Sequence, residues 1–350
     1  MKVYFILPYP TEGPSNRFRV EQYLPFLRGN NIEYTIRPFV SSEFYKILYK
    51  RGHLIKKIFY FLCSTLKRIA DIGKALKSDL VFIHIEAFPF GPPVFEWLLA
   101  KFGKPLVFDF EDAVYLPKKG NGLWWLRSSG KFYSILRLSR RVIVCNEYLK
   151  NKFRQINPNI TVIPTSIDTE KFKPIGKGKF RAKVTIGWIG SHSTFVYLER
   201  ILPFLQKLAG RCEFVLKIVG AGRKVVLDGV EVISEEWSLE KDVENFQGLD
   251  IGIYPLPNDE WAMAKTPFKT VQYMSVGIPV VASRVGGNKE IIQDGMNGFL
   301  VSCEDEWVER LSALIKDPDL RRRLGAAGRR IIEEKYSLKV NAPRFIEALK

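Results

Sequence analysis

AKTPFKTVQYMSVGIPVVASRVGGNKEIIQDGMNGFLV, residues 264–301, reads as a helix, a tight turn, a buried strand, a glycine corner, a second helix and another turn. Thr266 is placed to cap, Pro267 suits the first helical position, and Phe268 to Val276 follow as helix. Gly277 supplies a left-handed stop, and Pro279 keeps the helix from resuming. Val280, Val281 and Ala282 form a short apolar run of the kind buried on both faces of a parallel sheet. A helix starting this way offers backbone amides at Phe268 and Lys269, a ready anion site. Lys265 and Lys269 crowd that positive end, where the helix dipole disfavours them. A bound anion such as a diphosphate reverses that penalty.

Outward from this stretch, strands and helices alternate. Val3 to Leu7 is a strand, followed by the loop PYPTEGPSNRFR and a helix from about Val20 to Arg28. Ile32 to Ile36, Leu80 to Ile85, Pro105 to Phe110, Arg141 to Cys145 and Thr161 to Ile163 read as further strands. A second series runs through Val184 to Ile189, Phe214 to Val219, Val230 to Ile233, Ile251 to Tyr254, Val280 to Ala282 and Phe299 to Val301. Strands separated by helical patterns imply parallel βαβ units, and 350 residues exceed what one core usually supports. The expected fold is α/β, two doubly wound parallel sheets. IPTSIDTEKFKP, residues 163–174, joins them; Pro164 and Pro174 bracket a chain that is neither regular helix nor strand.

The matches Tyr273 to Ser283, Gly286, Gly287, Glu290, Asp294, Gly295, Asn297, Gly298 and Phe299 carry a family resemblance. The segment resembles the donor-binding half of the retaining glycosyltransferases of GT-B architecture, the family 4, group 1 type. The paired glutamates usual there are replaced by Ala264 and Gln272, and KTPFK looks like the lysine-rich subset. The resemblance implies two facing Rossmann-like domains. These are an acceptor-side domain over 1–166, a nucleotide-sugar donor domain over 167–335, and a helix over 336–350 that crosses back to the first. It implies transfer of a sugar from a nucleoside diphosphate sugar to an acceptor with retention, with no metal or other cofactor. Domain closure would exclude water from an oxocarbenium-like centre.

Donor contacts are expected from Gly190, Ser191, Lys265, Thr266, Phe268, Lys269, Gln272 and Glu290. Gly190 and Ser191 end a strand and open a helix, where glycine lets backbone approach a phosphate; a plain tight turn has the same look. Glu290 suits either a cap or a sugar or ribose hydroxyl, and His192 either the donor or solvent. Gly220 and Gly222 read as close packing below the site. In the first half, Gly13, Asn16 and Arg17 mark an acceptor and sugar loop, where Arg17 and Arg19 would grip an anionic acceptor or be solvated. Asp109, Glu111 and Asp112 crowd three acids into four residues, costly unless a base, cation or hydroxyl exploits them. Asp109 and Glu111 are the candidates at the reacting sugar. A metal-binding reading of these acids belongs to the other glycosyltransferase architecture.

The net charge of +17 admits nucleic acid or an anionic membrane as partner. Nine lysines and arginines from Lys46 to Lys77 face the single acid Asp71, interleaved with aromatic and aliphatic residues. Such a segment, 44–77, suits a helix lying in a lipid interface, or an exposed basic helix packed on its domain. No nucleic-acid recognition motif is present, and the charge lies away from the glycine turns. A basic nucleic-acid-binding protein is therefore the rival class, and an epimerase of the same architecture the rival enzyme. MKVYFILPYP runs apolar for too few residues to read as a signal peptide. Cys63, Cys145, Cys212 and Cys303 form no CxxC pair, so the expected setting is cytoplasmic, with peripheral attachment at the inner face of a membrane if the basic segment inserts. The acceptor would then be lipid-linked; otherwise it is a glycan.

Overall fold

The computed structural model describes residues 1–116, 129–175 and 183–350. The chain divides into two compact units, the first made of Met1–Ser166 with Asn341–Lys350, the second of Ile167–Val340.

The first unit holds β1 (Lys2–Leu7), β2 (Glu33–Pro38), β3 (Leu80–His84), β4 (Leu106–Phe110), β5 (Arg141–Val144) and β6 (Ile160–Val162). They form a sheet of order β2-β1-β3-β4-β5-β6, every pair parallel. β3 and β4 are buried along their whole length, as continuous apolar runs require, whereas the edge strand β2 alternates in exposure. The order reverses at β1 and β3, the place where open α/β sheets gather ligands beyond their carboxyl ends. The segment 8–19, expected to be all loop, contains the helix Pro14–Arg19, and a second helix runs Leu24–Gly29. Pro14 stands at the first helical position, where its missing N–H is no loss, so it starts a helix instead of preventing one.

The second unit holds β7 (Val184–Ile189), β8 (Phe214–Val219), β9 (Glu231–Glu235), β10 (Ile251–Tyr254), β11 (Val280–Ser283) and β12 (Phe299–Val301). The order β12-β11-β10-β7-β8-β9 is again all parallel and switches at β7 and β10. Successive residues feed two cores on opposite faces. Ile251, Ile253 and Val281 belong to one, and Tyr254, Val280 and Ala282 to the other. Helix Phe268–Ser275 ends as its sequence dictates: Gly277 adopts φ 75° and donates to the Met274 carbonyl at 3.0 Å.

The helix Leu338–Leu349 delivers Phe345 to the first unit, where it stacks on Tyr23 at 4.3 Å between ring centroids. Residues 336–340 stay with the second unit, since Ile167 N–H donates to the Tyr336 carbonyl and accepts from Leu338 at its own carbonyl.

Candidate functional site

At the first switch point four side chains form a continuous polar chain. Ser15 Oγ lies 2.7 Å from His84 Nε2, and His84 Nδ1 lies 2.7 Å from Asp109 Oδ2. Arg19 closes the chain with both arms on the Asp109 carboxylate and donates to the Ile163 carbonyl at 2.7 Å. β3 and β4 set His84 beside Asp109 in register, and the helix Pro14–Arg19 brings Ser15 and Arg19 onto one face one turn apart. A carboxylate only accepts, so the network assigns the imidazole proton to Nδ1 and leaves Nε2 to accept from the Ser15 hydroxyl.

His84 and Asp109 are fully buried and Arg19 nearly so. Burial pushes the Asp109 carboxyl up, but the Arg19 charge and the His84 hydrogen bond outweigh it and hold the group below the usual carboxylate range. Burial likewise opposes the Arg19 charge, and the attraction of Asp109 overcomes it, raising that group above its ordinary value. In a serine hydrolase the buried carboxylate spends its charge on the imidazolium. Here Arg19 already neutralises that charge, so the chain orients the Ser15 hydroxyl and does not activate it as a nucleophile. Ile85, directly after His84, sits at φ 63°, a left-handed conformation that is a real strain for a β-branched residue. Its N–H donates to the Asp109 carbonyl at 2.8 Å, which fixes the strand end in this bend.

These positions revise several expectations. Asp109 has no exposed surface and both its oxygens are taken, so it works through Arg19 and His84 and is closed to a metal or a sugar. Arg19 is committed to Asp109 and grips no acceptor. Glu111 is half-buried and accepts from the Thr165 hydroxyl at 3.0 Å. Arg17 donates to the Thr11 and Glu12 carbonyls, tying down the loop that contains Gly13. Asn16 is buried, donates to Glu21 at 2.8 Å, and leaves its Oδ1 without a hydrogen-bond partner among the described residues. Ser15 and His84 were missed in the sequence; the position of His84 at the carboxyl end of a switch-point strand was the available signal.

At the second switch point the helix Phe268–Ser275 starts one residue later than its sequence suggests. Pro267 is the cap residue, at ψ 54°, and no side chain caps the helix. The Phe268 amide, expected free, donates to the Thr266 carbonyl at 2.8 Å, because the chain makes a tight turn over Pro267. The two lysines are half-buried and held by neighbours. Lys265 Nζ stands 4.3 Å from the centroid of the Trp261 ring, and Lys269 Nζ donates to Gln272 Oε1 at 2.9 Å. Gln272 is buried, so its carbonyl oxygen steadies the Lys269 ammonium where the resembled family has a carboxylate. Glu290 is exposed on the short helix Asn288–Ile291, whose buried Asn288 accepts from Thr270 at 2.8 Å. The Gly190 turn is closed by its own bonds: Ser191 N–H donates to Thr194 Oγ1 at 3.0 Å, and His192 is exposed. Gly220, at φ 82°, lets this turn approach, since a Cβ there would lie 2.3 Å from the Gly190 carbonyl oxygen.

Comparison with known proteins agrees with this layout. Residues 28–171 match the model of Glycosyltransferase Family 4, and residues 183–317 that of Glycosyl transferases group 1. An uncharacterized glycosyltransferase of Methanocaldococcus jannaschii is 25% identical over 315 residues, covering 86% of this chain and 85% of that protein. A GDP-mannose-dependent monoacylated alpha-(1-6)-phosphatidylinositol monomannoside mannosyltransferase of Corynebacterium glutamicum is 23% identical over 259 residues, 66% of this chain and 68% of that one. Spore coat protein SA of Bacillus subtilis is 33% identical over 75 residues, and that match spans only 20% of each chain. Among solved structures, Anabaena HepE in complex with UDP-glucose superposes with TM-score 0.70 at 14% identity, covering 100% of this chain and 99% of that one. With both halves matched in order and both sheets built as that architecture requires, the chain belongs to the group 1, family 4 glycosyltransferases of GT-B architecture.

Proposed function

We propose that this protein transfers a sugar from a nucleoside diphosphate sugar to an acceptor, with retention and without a metal. The observation that carries the reading is the pair of half-buried ammonium groups, Lys265 and Lys269, held at the start of the helix Phe268–Ser275 beside the second switch point. Negative charge develops on the diphosphate as the glycosidic bond breaks. Cations already oriented there stabilise that charge without reorganising. Support comes from relatives that use or hold a nucleoside diphosphate sugar, GDP-mannose in one and UDP-glucose in another. In the first unit, the half-buried Ser15 hydroxyl, oriented by the His84 imidazole, offers a hydrogen bond to a sugar or acceptor hydroxyl.

Lys265→Ala and Lys269→Ala are each expected to weaken nucleoside diphosphate binding by roughly 1.5–3 kcal/mol, the worth of one charge-assisted contact. Titration calorimetry with UDP and GDP measures it. Wild-type affinity in both variants would place the phosphate site elsewhere. Turnover of a nucleotide sugar is further expected to persist in excess EDTA. Activity abolished by the chelator and restored by magnesium or manganese would assign the leaving-group charge to a metal.

The same reading puts the enzyme at the cytoplasmic face of an anionic membrane with a lipid-linked acceptor. The helix Leu54–Ala75 leaves Leu54, Ile55, Ile58, Phe59, Leu62 and Leu66 more than half exposed on one side. Exposed Lys56, Lys67 and Lys74 border that apolar stripe, and Arg68 and Asp71 face inward. An apolar stripe edged by cations is the surface that a lipid interface covers. Among the described residues no helix is long and apolar enough to cross a membrane.

A further inference from the structure

A cavity of about 200 Å³ opens at the carboxyl ends of β1, β2 and β3. Its walls are Tyr9, Phe39, Val40, Phe44, Phe61 and Phe88 with apolar neighbours, and Glu86 is its one charged lining residue among the described residues. The aromatic walls brace one another, with Phe39 at 5.4 Å from Phe88 and 5.6 Å from Phe61 between ring centroids. Glu86 is already paired, accepting from the buried Lys131 ammonium at 2.7 Å, and Lys131 also donates to the Phe88 carbonyl.

We propose that this cavity holds the hydrocarbon chain of the lipid-linked acceptor, an inference that rests on the membrane reading above. Interiors otherwise pack with few voids larger than a water molecule, so an apolar space of this size persists where a ligand fills it. A sugar ring is the wrong occupant, since its hydroxyls would meet phenyl faces and lose their hydrogen bonds to water. A chain of methyl and methylene groups loses nothing there. The cavity also connects the two places such an acceptor must reach. Phe61 lines it from the helix Leu54–Ala75, one turn from Ile58 on the exposed apolar stripe. At the other end, Pro8 and Tyr9 lead into the loop that supplies Ser15, and Glu86 follows His84 by two residues. A chain entering from the lipid face therefore ends with its polar head beside the Ser15 and His84 pair.

Titration of the full chain with farnesyl phosphate, alongside inorganic phosphate and UDP, tests this. Wild type is expected to bind farnesyl phosphate and to bind inorganic phosphate at least tenfold more weakly. Phe88→Glu and Leu48→Glu, at half-buried wall positions, should each lose at least tenfold in farnesyl phosphate affinity while UDP binding and sedimentation with anionic vesicles stay unchanged. Equal affinity in the variants means that the chain merely adsorbs on the exposed helix, and overturns the proposal, as does wild type that ignores farnesyl phosphate. Should the variants not fold, as loss of hydrogen-exchange protection in β1 and β3 would show, cross-linking of wild type by a diazirine-bearing farnesyl phosphate decides. Label on residues 39–48, 61 and 86–90 supports the cavity, and label confined to the outward residues of 54–69 overturns it. Failure of wild type to bind either UDP or GDP would strike the nucleotide-sugar reading instead and leave the farnesyl phosphate result readable.

Discussion

Arg19→Met is expected to lower the unfolding free energy of the first unit by about 3–5 kcal/mol, the usual consequence of removing one partner of a buried ion pair. Asp109 has no exposed surface, and Arg19 supplies the cation that keeps its carboxylate charged there. Without the guanidinium, the carboxylate must take up a proton or draw in water. The double variant Arg19→Met with Asp109→Leu is expected to recover most of the loss, because two apolar side chains in that volume need no compensation. Urea denaturation followed by circular dichroism, with hydrogen exchange at β3 and β4 to isolate the first unit, measures both. A single variant with an unchanged midpoint, or a double variant no better than the single, would overturn the account.

The pair also fixes a pH signature. The folded Asp109 carboxyl lies below its ordinary value, so its contribution is full above the ordinary carboxylate range and fades as pH falls through the folded value. In Arg19→Met the His84 hydrogen bond still favours the carboxylate, but burial, the largest influence and opposite in sign, no longer meets the Arg19 charge. The stability gap between wild type and variant is therefore widest at neutral pH and narrows on acidification.

Replacing Lys56, Lys67, Lys74 and Lys77 with glutamate carries the other large effect. Each cation near an anionic surface contributes about 1 kcal/mol, so losing four removes about 4 kcal/mol, roughly a thousandfold in vesicle partition. All four are exposed and belong to the first unit. Sedimentation with phosphatidylglycerol vesicles should fall accordingly, while UDP binding stays at the wild-type value. Raising the salt on wild type should weaken attachment only in part, because the apolar stripe does not depend on charge. Wild type that fails to sediment with such vesicles even at low salt would sink the membrane reading, and with it the lipid-linked acceptor.

Both sheets were legible because parallel strands buried on two faces leave uninterrupted apolar runs, and Val184–Ile189, Phe214–Val219 and Ile251–Tyr254 have the bounds read from those runs. The helix Pro14–Arg19 was hidden because proline and glycine were taken as loop signals where proline in fact opens a helix. Lys265 and Lys269 stood out as charge at a helix start, but the tight turn over Pro267 that occupies the Phe268 amide is a backbone detail no residue type announces. The chain of Ser15, His84, Asp109 and Arg19 joins residues up to 94 positions apart, and only the order of strands brings them together. Three acids in four residues drew notice to Asp109, yet the cation answering them lay ninety positions upstream.

Because Phe345 seats beneath Tyr23 and Phe82, the first unit is encoded in two pieces with the whole second unit between them. Domains generally fold in the order they are synthesised, the N-terminal one first. Here the order of encoding favours the reverse. Residues 167–340 are complete while the earlier unit still lacks its last buried side chains, and it closes only when residues 341–350 have left the ribosome. A message cut short before residue 341 yields a chain whose second unit is whole and whose first unit leaves Tyr23 and Phe82 without the Phe345 ring. Residues 341–350 are therefore needed to finish the first unit, although the whole of the second unit is encoded ahead of them.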